Sequence, residues 1–229
     1  MAERLKSILS QTRWSLLGRA IVFAAAWWLL PYWFFLLVAL YLYFVPPFQA
    51  RSLVAPFFAI LILAFIEPQG IFFAVILGAI FYYLLLIKDL LLIDRKSAHE
   101  LLVIALSFFL LRDFYRTFGG GWLAGAGPWF GFLTAILMGA MASSFIEEKS
   151  ARVAAWLLFL ISWEFILLGL ALPLDFAYQS AIVFLLIAFS LDLISDGAAG
   201  TASRRKLIVS SSVVFALLVI ILASAKWNL

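Results

Sequence analysis

The chain contains no cysteine, a single histidine and few charged residues. Only 12% of its 229 residues are charged. The absence of cysteine excludes disulfides, thiolate metal ligands and cysteine nucleophiles, and His99 alone cannot build a multi-histidine metal site. No nucleophile elbow, dinucleotide fingerprint or phosphate loop occurs in a suitable context. We therefore expect no cofactor and no complete catalytic set.

Apolar residues are abundant instead: 67% of the chain is hydrophobic, and the mean hydropathy is +1.16. A soluble domain of this size needs a polar surface and cannot bury so many apolar side chains. Apolar runs separated by short polar breaks are typical of helical membrane proteins. The sequence therefore predicts an all-α, polytopic integral membrane protein of the plasma membrane.

The apolar runs predict about nine membrane helices. Their expected ranges are 15–30, 32–45, 52–66, 71–87, 97–116, 129–145, 151–170, 176–194 and 207–225. A straight crossing needs about 20 residues, so the first two hairpins are short enough to be re-entrant. Residues 1–14 are predicted to form an interfacial amphipathic helix, and residues 15–225 a single helical membrane domain without a separate soluble domain.

Basic residues predict the orientation, because cytoplasmic loops carry an excess of Lys and Arg. With the N-terminus inside, all but three of the 16 basic residues lie on the inner side. The three exceptions are Arg112, Arg116 and Lys226. The sequence therefore predicts an inside N-terminus and an outside C-terminus.

A polar layer is predicted toward the outer side of the third, fifth and seventh helices. Glu67, Arg112 and Glu164 lie at similar heights, roughly 20 Å from the inner helix ends. Asp113 and Arg116 lie beside Arg112 on the fifth helix. An ionisable residue at membrane depth is a functional-site hypothesis by default. One interpretation is a pocket for an anionic ligand, and the other is a structural ion pair between Arg112 and Glu164.

A second candidate site lies at the inner end of the eighth helix. Asp192 and Asp196 are one helical turn apart and oppose the helix dipole there. A divalent cation can compensate them, and so can the basic residues Arg204, Arg205 and Lys206. The DxxxD pattern resembles half of the metal–diphosphate site of membrane prenyltransferases of the UbiA type. The longer Asn/Asp-rich motif of that family is absent from this chain.

Three functions remain open from these patterns. The first is a non-catalytic membrane subunit or scaffold, which the lack of a catalytic set favours. The second is a carrier or binding protein for an anionic or lipid-like ligand in the outer polar layer. The third is a lipid- or prenyl-modifying enzyme that uses the inner aspartates. The expected partners are membrane lipids, other membrane subunits or a second copy, and no nucleic acid.

Overall fold

The structure is a computed structural model that describes residues 2–45, 53–89, 95–118, 125–143 and 148–225. Within these ranges the chain forms nine α-helices and no strand. The helices are α1 (Ala2–Leu29), α2 (Tyr32–Phe44), α3 (Val54–Ile66), α4 (Ile71–Lys88), α5 (Arg95–Phe118), α6 (Gly127–Ser143), α7 (Glu148–Ala171), α8 (Phe176–Ala199) and α9 (Arg204–Ser224). The all-helical prediction is confirmed for the described residues.

Two helix ends differ from the predicted ranges by more than three residues, the start of α1 and the end of α8. The amphipathic segment and the first apolar run form one helix, because α1 continues without a break through residue 14. Helix α8 passes the predicted end at residue 194 and stops at Gly200, which has a φ of 66°. Glycine adopts this left-handed conformation without the strain that a Cβ would add. The N–H of Thr201 then donates to the carbonyl of Asp196 over 3.0 Å.

Among the described residues, four helices are long and apolar enough to cross a membrane, as judged by length and composition. They are Ile71–Lys88, Ala151–Ala171, Phe176–Ala198 and Arg204–Ser224. Helices α2 and α3 have 13 residues each and fall below the usual minimum for a straight crossing. The four long helices indicate a membrane protein.

The chain divides into two compact units, Met1–Leu106 and Ser107–Leu229. An aromatic core joins the four helices α1 to α4 of the first unit. Phe23 of α1 stacks on Phe81 of α4 with ring centres 4.1 Å apart, and its edge meets Phe35 of α2. Phe57 of α3 stacks on Tyr43 of α2 at 4.1 Å and also contacts Phe81. These five rings are all buried.

Small residues allow α1 and α4 to approach each other closely. A Cβ added to Gly78 of α4 would lie 3.0 Å from the Cβ of Ala24 and 3.4 Å from the carbonyl oxygen of Ala20. Ala20 and Ala24 are one turn apart on α1, and Ala74 and Gly78 repeat that spacing on α4. Small residues at such spacing are common where membrane helices pack, because packing rather than water exclusion drives their association.

In the second unit α6 packs on α7, α7 on α8, and α8 on α9. Its core includes Leu111 and Tyr115 of α5, Met138 of α6, Ile166 of α7 and Val183 of α8. The hydroxyl of Tyr115 donates to the carbonyl of Ile166 over 2.9 Å. A buried hydroxyl therefore has its hydrogen-bond partner inside the core.

Candidate functional site

The charged cluster of α5 is centred on a buried carboxylate. The side chain of Asp113 is 1% exposed, while those of Arg112 and Arg116 are 33% and 29% exposed. An oxygen of Asp113 lies 3.4 Å from a guanidinium nitrogen of Arg116 and 3.9 Å from one of Arg112. Asp113 thus faces the core, and the two arginines extend past it toward the surface.

The predicted pairing of Arg112 with Glu164 is wrong. Among the ion pairs of the described residues, the carboxylate near Arg112 is that of Asp113, and Glu164 lies on an exposed part of α7. Matching heights on two helices do not fix which face each residue occupies. Glu67 belongs to the first unit, where it is buried at the C-terminal end of α3.

The α5 cluster carries two positive charges and one negative charge. Its partly exposed guanidinium groups keep N–H donors at the surface, and arginine forks match carboxylate and phosphate oxygens. The buried carboxylate of Asp113 lies within ion-pair distance of both guanidinium groups. Chemically, the two guanidinium groups are suited to binding an anion, although the cluster carries no group for acid–base or nucleophilic chemistry besides Asp113.

Asp192 and Asp196 form a second ionic cluster, between α8 and α9. The ammonium of Lys206 lies 2.6 Å from a carboxylate oxygen of Asp196 and 3.8 Å from one of Asp192. The hydroxyl of Ser210 donates to Asp192 over 3.2 Å, and that of Thr201 donates to Asp196 over 3.2 Å. These contacts offset the unfavourable position of two carboxylates at a helix C-terminus.

A cavity of about 240 Å³ adjoins this second cluster. Its lining includes Asp192, Asp196, Lys206 and Ser210. The lysine ammonium occupies the position between the carboxylates that a cation would need. In the part of the chain that the structure describes, no three Asp, Glu, His or Cys side chains lie together as a metal site. A metal at Asp192 and Asp196 stays a prediction, and Lys206 would have to move to admit one.

The sequence analysis missed a third polar cluster, at the C-terminal end of α2. Lys88 is 1% exposed, and its ammonium donates to the carbonyl of Tyr43 and lies 4.9 Å from the centre of the Tyr43 ring. Arg19 donates to the carbonyl of Val45 over 2.7 Å. The last carbonyls of a helix have no partner within it, and cations there also interact favourably with the helix dipole. In the sequence, Arg19 and Lys88 contributed only to the bias of basic residues that predicts the membrane orientation.

Comparison with known proteins does not assign this chain to a family. No family model, characterised protein or solved structure matches this chain significantly.

Proposed function

We propose that this chain is a non-catalytic, multi-pass subunit of the plasma membrane that binds another membrane protein through α9. The observation that supports the proposal is the exposure of α9. This helix has 21 residues, is strongly apolar, and has no buried residue. A chain that serves as a subunit needs a surface of this kind.

Polar contacts attach α9 to α8 at both of its ends. At one end Lys206 and Ser210 contact Asp196 and Asp192. At the other end the hydroxyl of Tyr178 donates to the carbonyl of Ser224 over 3.0 Å. These contacts fix the position of α9 on its neighbour, while most of its circumference stays open. A fixed and exposed helix can pack against a helix of a partner without first reorganising.

The distribution of charge supports a subunit more than a carrier or an enzyme. Arg116 pairs with Asp113, and Lys206 pairs with Asp192 and Asp196. Each of these carboxylates has a basic partner within the chain, which favours a role of these charges in setting helix positions. In our proposal the helices cross the membrane with the N-terminus inside, as the distribution of Lys and Arg favours.

Photo-cross-linking in native membranes tests the proposed interface. A benzophenone amino acid replaces Phe215 of α9 in one variant and Phe72 of α4 in a matched control. Both phenylalanines are 69% exposed. We expect a discrete protein adduct of larger mass from position 215 and adducts with lipid alone from position 72.

Two results bear on the interpretation of that experiment. An adduct of twice the mass of the chain would identify the partner as a second copy. If position 215 gives adducts with lipid alone, as position 72 is expected to do, α9 faces the bilayer and the subunit proposal fails.

A further inference from the structure

Helices α2 and α3 of the first unit are too short for an ordinary bilayer. Each has 13 residues, so each is about 20 Å long at a rise of 1.5 Å per residue. The hydrocarbon core of a typical bilayer is about 30 Å thick. Either these helices end within the hydrocarbon or the bilayer beside them is thinner. The groups at the two ends of the unit distinguish these alternatives.

Two cations lie level with the C-terminal end of α2. The guanidinium of Arg19 and the ammonium of Lys88 donate to the carbonyls of Val45 and Tyr43. Side chains lean toward the N-terminus of their helix, so the ammonium of Lys88 lies further back along α4 than its own Cα. A charge inside hydrocarbon is costly. Lys88 is shielded by the protein, whereas the Arg19 side chain is partly exposed, so we take the level of Arg19 as one edge of the hydrocarbon.

The opposite end of the unit contains an exposed turn between α3 and α4. Residues 67–70 are not helical, and Pro68 and Gln69 are exposed. The Gln69 amide donates to the carbonyl of Trp27 over 3.2 Å. Exposed irregular backbone is not tolerated in hydrocarbon, because its peptide groups would lack hydrogen-bond partners. This turn therefore belongs to the opposite headgroup layer, which argues against a re-entrant hairpin.

The aromatic residues on the exposed face of α2 are also closer together along the helix than an ordinary bilayer is thick. Trp33, Leu37 and Tyr41 are one turn apart along this face, and all three are exposed. Trp and Tyr favour the membrane boundary, where the ring is in an apolar region and its polar atom reaches water. The Cα atoms of Trp33 and Tyr41 are only about 12 Å apart along the helix. In a bilayer of ordinary thickness, at least one of the two would lie deep in hydrocarbon.

We propose that the first unit crosses a locally thinned bilayer and holds the hydrocarbon beside α2 and α3 to a thickness of about 20 Å. The partner is bilayer phospholipid whose acyl chains are compressed at this surface. The proposal rests on the membrane embedding in the proposed function and goes beyond it, because a subunit does not require a thinned bilayer.

Depth measurements on the exposed face of α2 test the proposal directly. The chain lacks cysteine, so single nitroxide labels can be attached to the variants Trp33→Cys, Leu37→Cys and Tyr41→Cys. The labelled proteins are reconstituted in dioleoyl phosphatidylcholine. Power saturation then compares the access of each label to oxygen and to a water-soluble nickel complex. We expect the nickel complex to reach positions 33 and 41 more than position 37.

Two outcomes overturn the thinning proposal and are distinguishable. If position 41 is less accessible to the nickel complex than position 37, α2 lies in hydrocarbon of ordinary thickness, and only the thinning proposal fails. If the nickel complex reaches all three positions equally well, α2 is not embedded, and the membrane embedding in the proposed function fails with it.

A lipid series provides a second measurement that uses conservative variants. We expect the thermal unfolding temperature of the reconstituted protein to fall from dimyristoleoyl through dioleoyl to dierucoyl phosphatidylcholine. Tyr41→Leu removes the polar atom and should move the optimum toward longer chains. The matched control Phe34→Leu, on a similarly exposed apolar ring of α2 (62% against 67% for Tyr41), should leave the optimum unchanged. An optimum at dioleoyl or longer chains in the unsubstituted protein, or equal behaviour of the two variants, would overturn the proposal.

Discussion

Asp113 is a buried side chain that offsets part of the positive charge of α5. Its carboxylate is almost completely buried, and it lies within ion-pair distance of two arginines on its own helix. A buried charge is tolerated when a partner of opposite sign is close. Here the partners are neighbours in sequence, so the cluster forms whatever the seventh helix presents. For this reason Glu164 can be exposed without leaving Arg112 far from a counter-ion.

Double-mutant cycles should separate these interactions. We expect Arg112→Met and Glu164→Gln to be additive within about 0.5 kcal/mol, because their side chains do not pair. We expect Arg116→Met and Asp113→Asn to be coupled by about 0.5–3 kcal/mol, because they form a partly buried ion pair. The measurement is the free energy of unfolding in mild detergent. Coupling between positions 112 and 164 that exceeds coupling between 113 and 116 would show that Arg112 pairs with Glu164.

At the scale of elements, the contact between α6 and α7 depends on a glycine. A Cβ added to Gly139 of α6 would lie 2.6 Å from the carbonyl oxygen of Ala155 and 3.2 Å from the Cβ of Phe159. The nearest atom belongs to the backbone, so α7 itself would have to shift. The two helices can approach this closely only because Gly139 has no side chain.

Gly139→Ala should therefore destabilise the second unit by about 1–3 kcal/mol, as overpacking does in other well-packed cores. Gly18→Ala of α1 is the matched control. A Cβ at Gly18 meets nothing within 4 Å, and alanine favours a helix by up to about 1 kcal/mol over glycine. Thermal unfolding of both variants measures the difference. Equal effects would mean that α6 and α7 do not approach as closely as described.

The membrane orientation is a property of the whole molecule. All but three of the basic residues fall on one side when the helices alternate in direction. The proposed topology places the connection between α7 and α8 outside and the connection between α8 and α9 inside. Each connection contains an exposed residue, Asp175 and Ala202 respectively.

Cysteine labelling in intact cells checks this orientation. The variants Asp175→Cys and Ala202→Cys introduce the only thiol of the chain in each case. An impermeant maleimide should react at position 175 and reach position 202 only after the membrane is permeabilised. The reverse pattern would invert the topology. Reaction at both positions in intact cells would mean that α8 does not cross the membrane.

Much of the helical architecture could be predicted from the sequence. Apolar runs marked the helices, and Pro31 and Pro68 lie in the turns before α2 and α4, because proline does not fit a helix interior. The helix bounds at Tyr32, Ile71 and Phe176 agree with the predicted ranges. The end of α8 was missed because Asp192 and Asp196 suggested a boundary, whereas the left-handed Gly200 sets it.

The sequence by itself determined that this is a helical membrane protein without cysteine chemistry, because these properties follow from composition and from periodicity along the chain. Only the tertiary structure decided which charges meet. It paired Lys206 with Asp192 and Asp196, left Glu164 exposed, and placed Arg19 and Lys88 at the end of α2. Height along a helix can be read from residue number, but the face that a side chain occupies depends on how neighbouring helices pack. That rotation is set by close contacts such as those of Gly78 and Gly139, which only the packed structure contains.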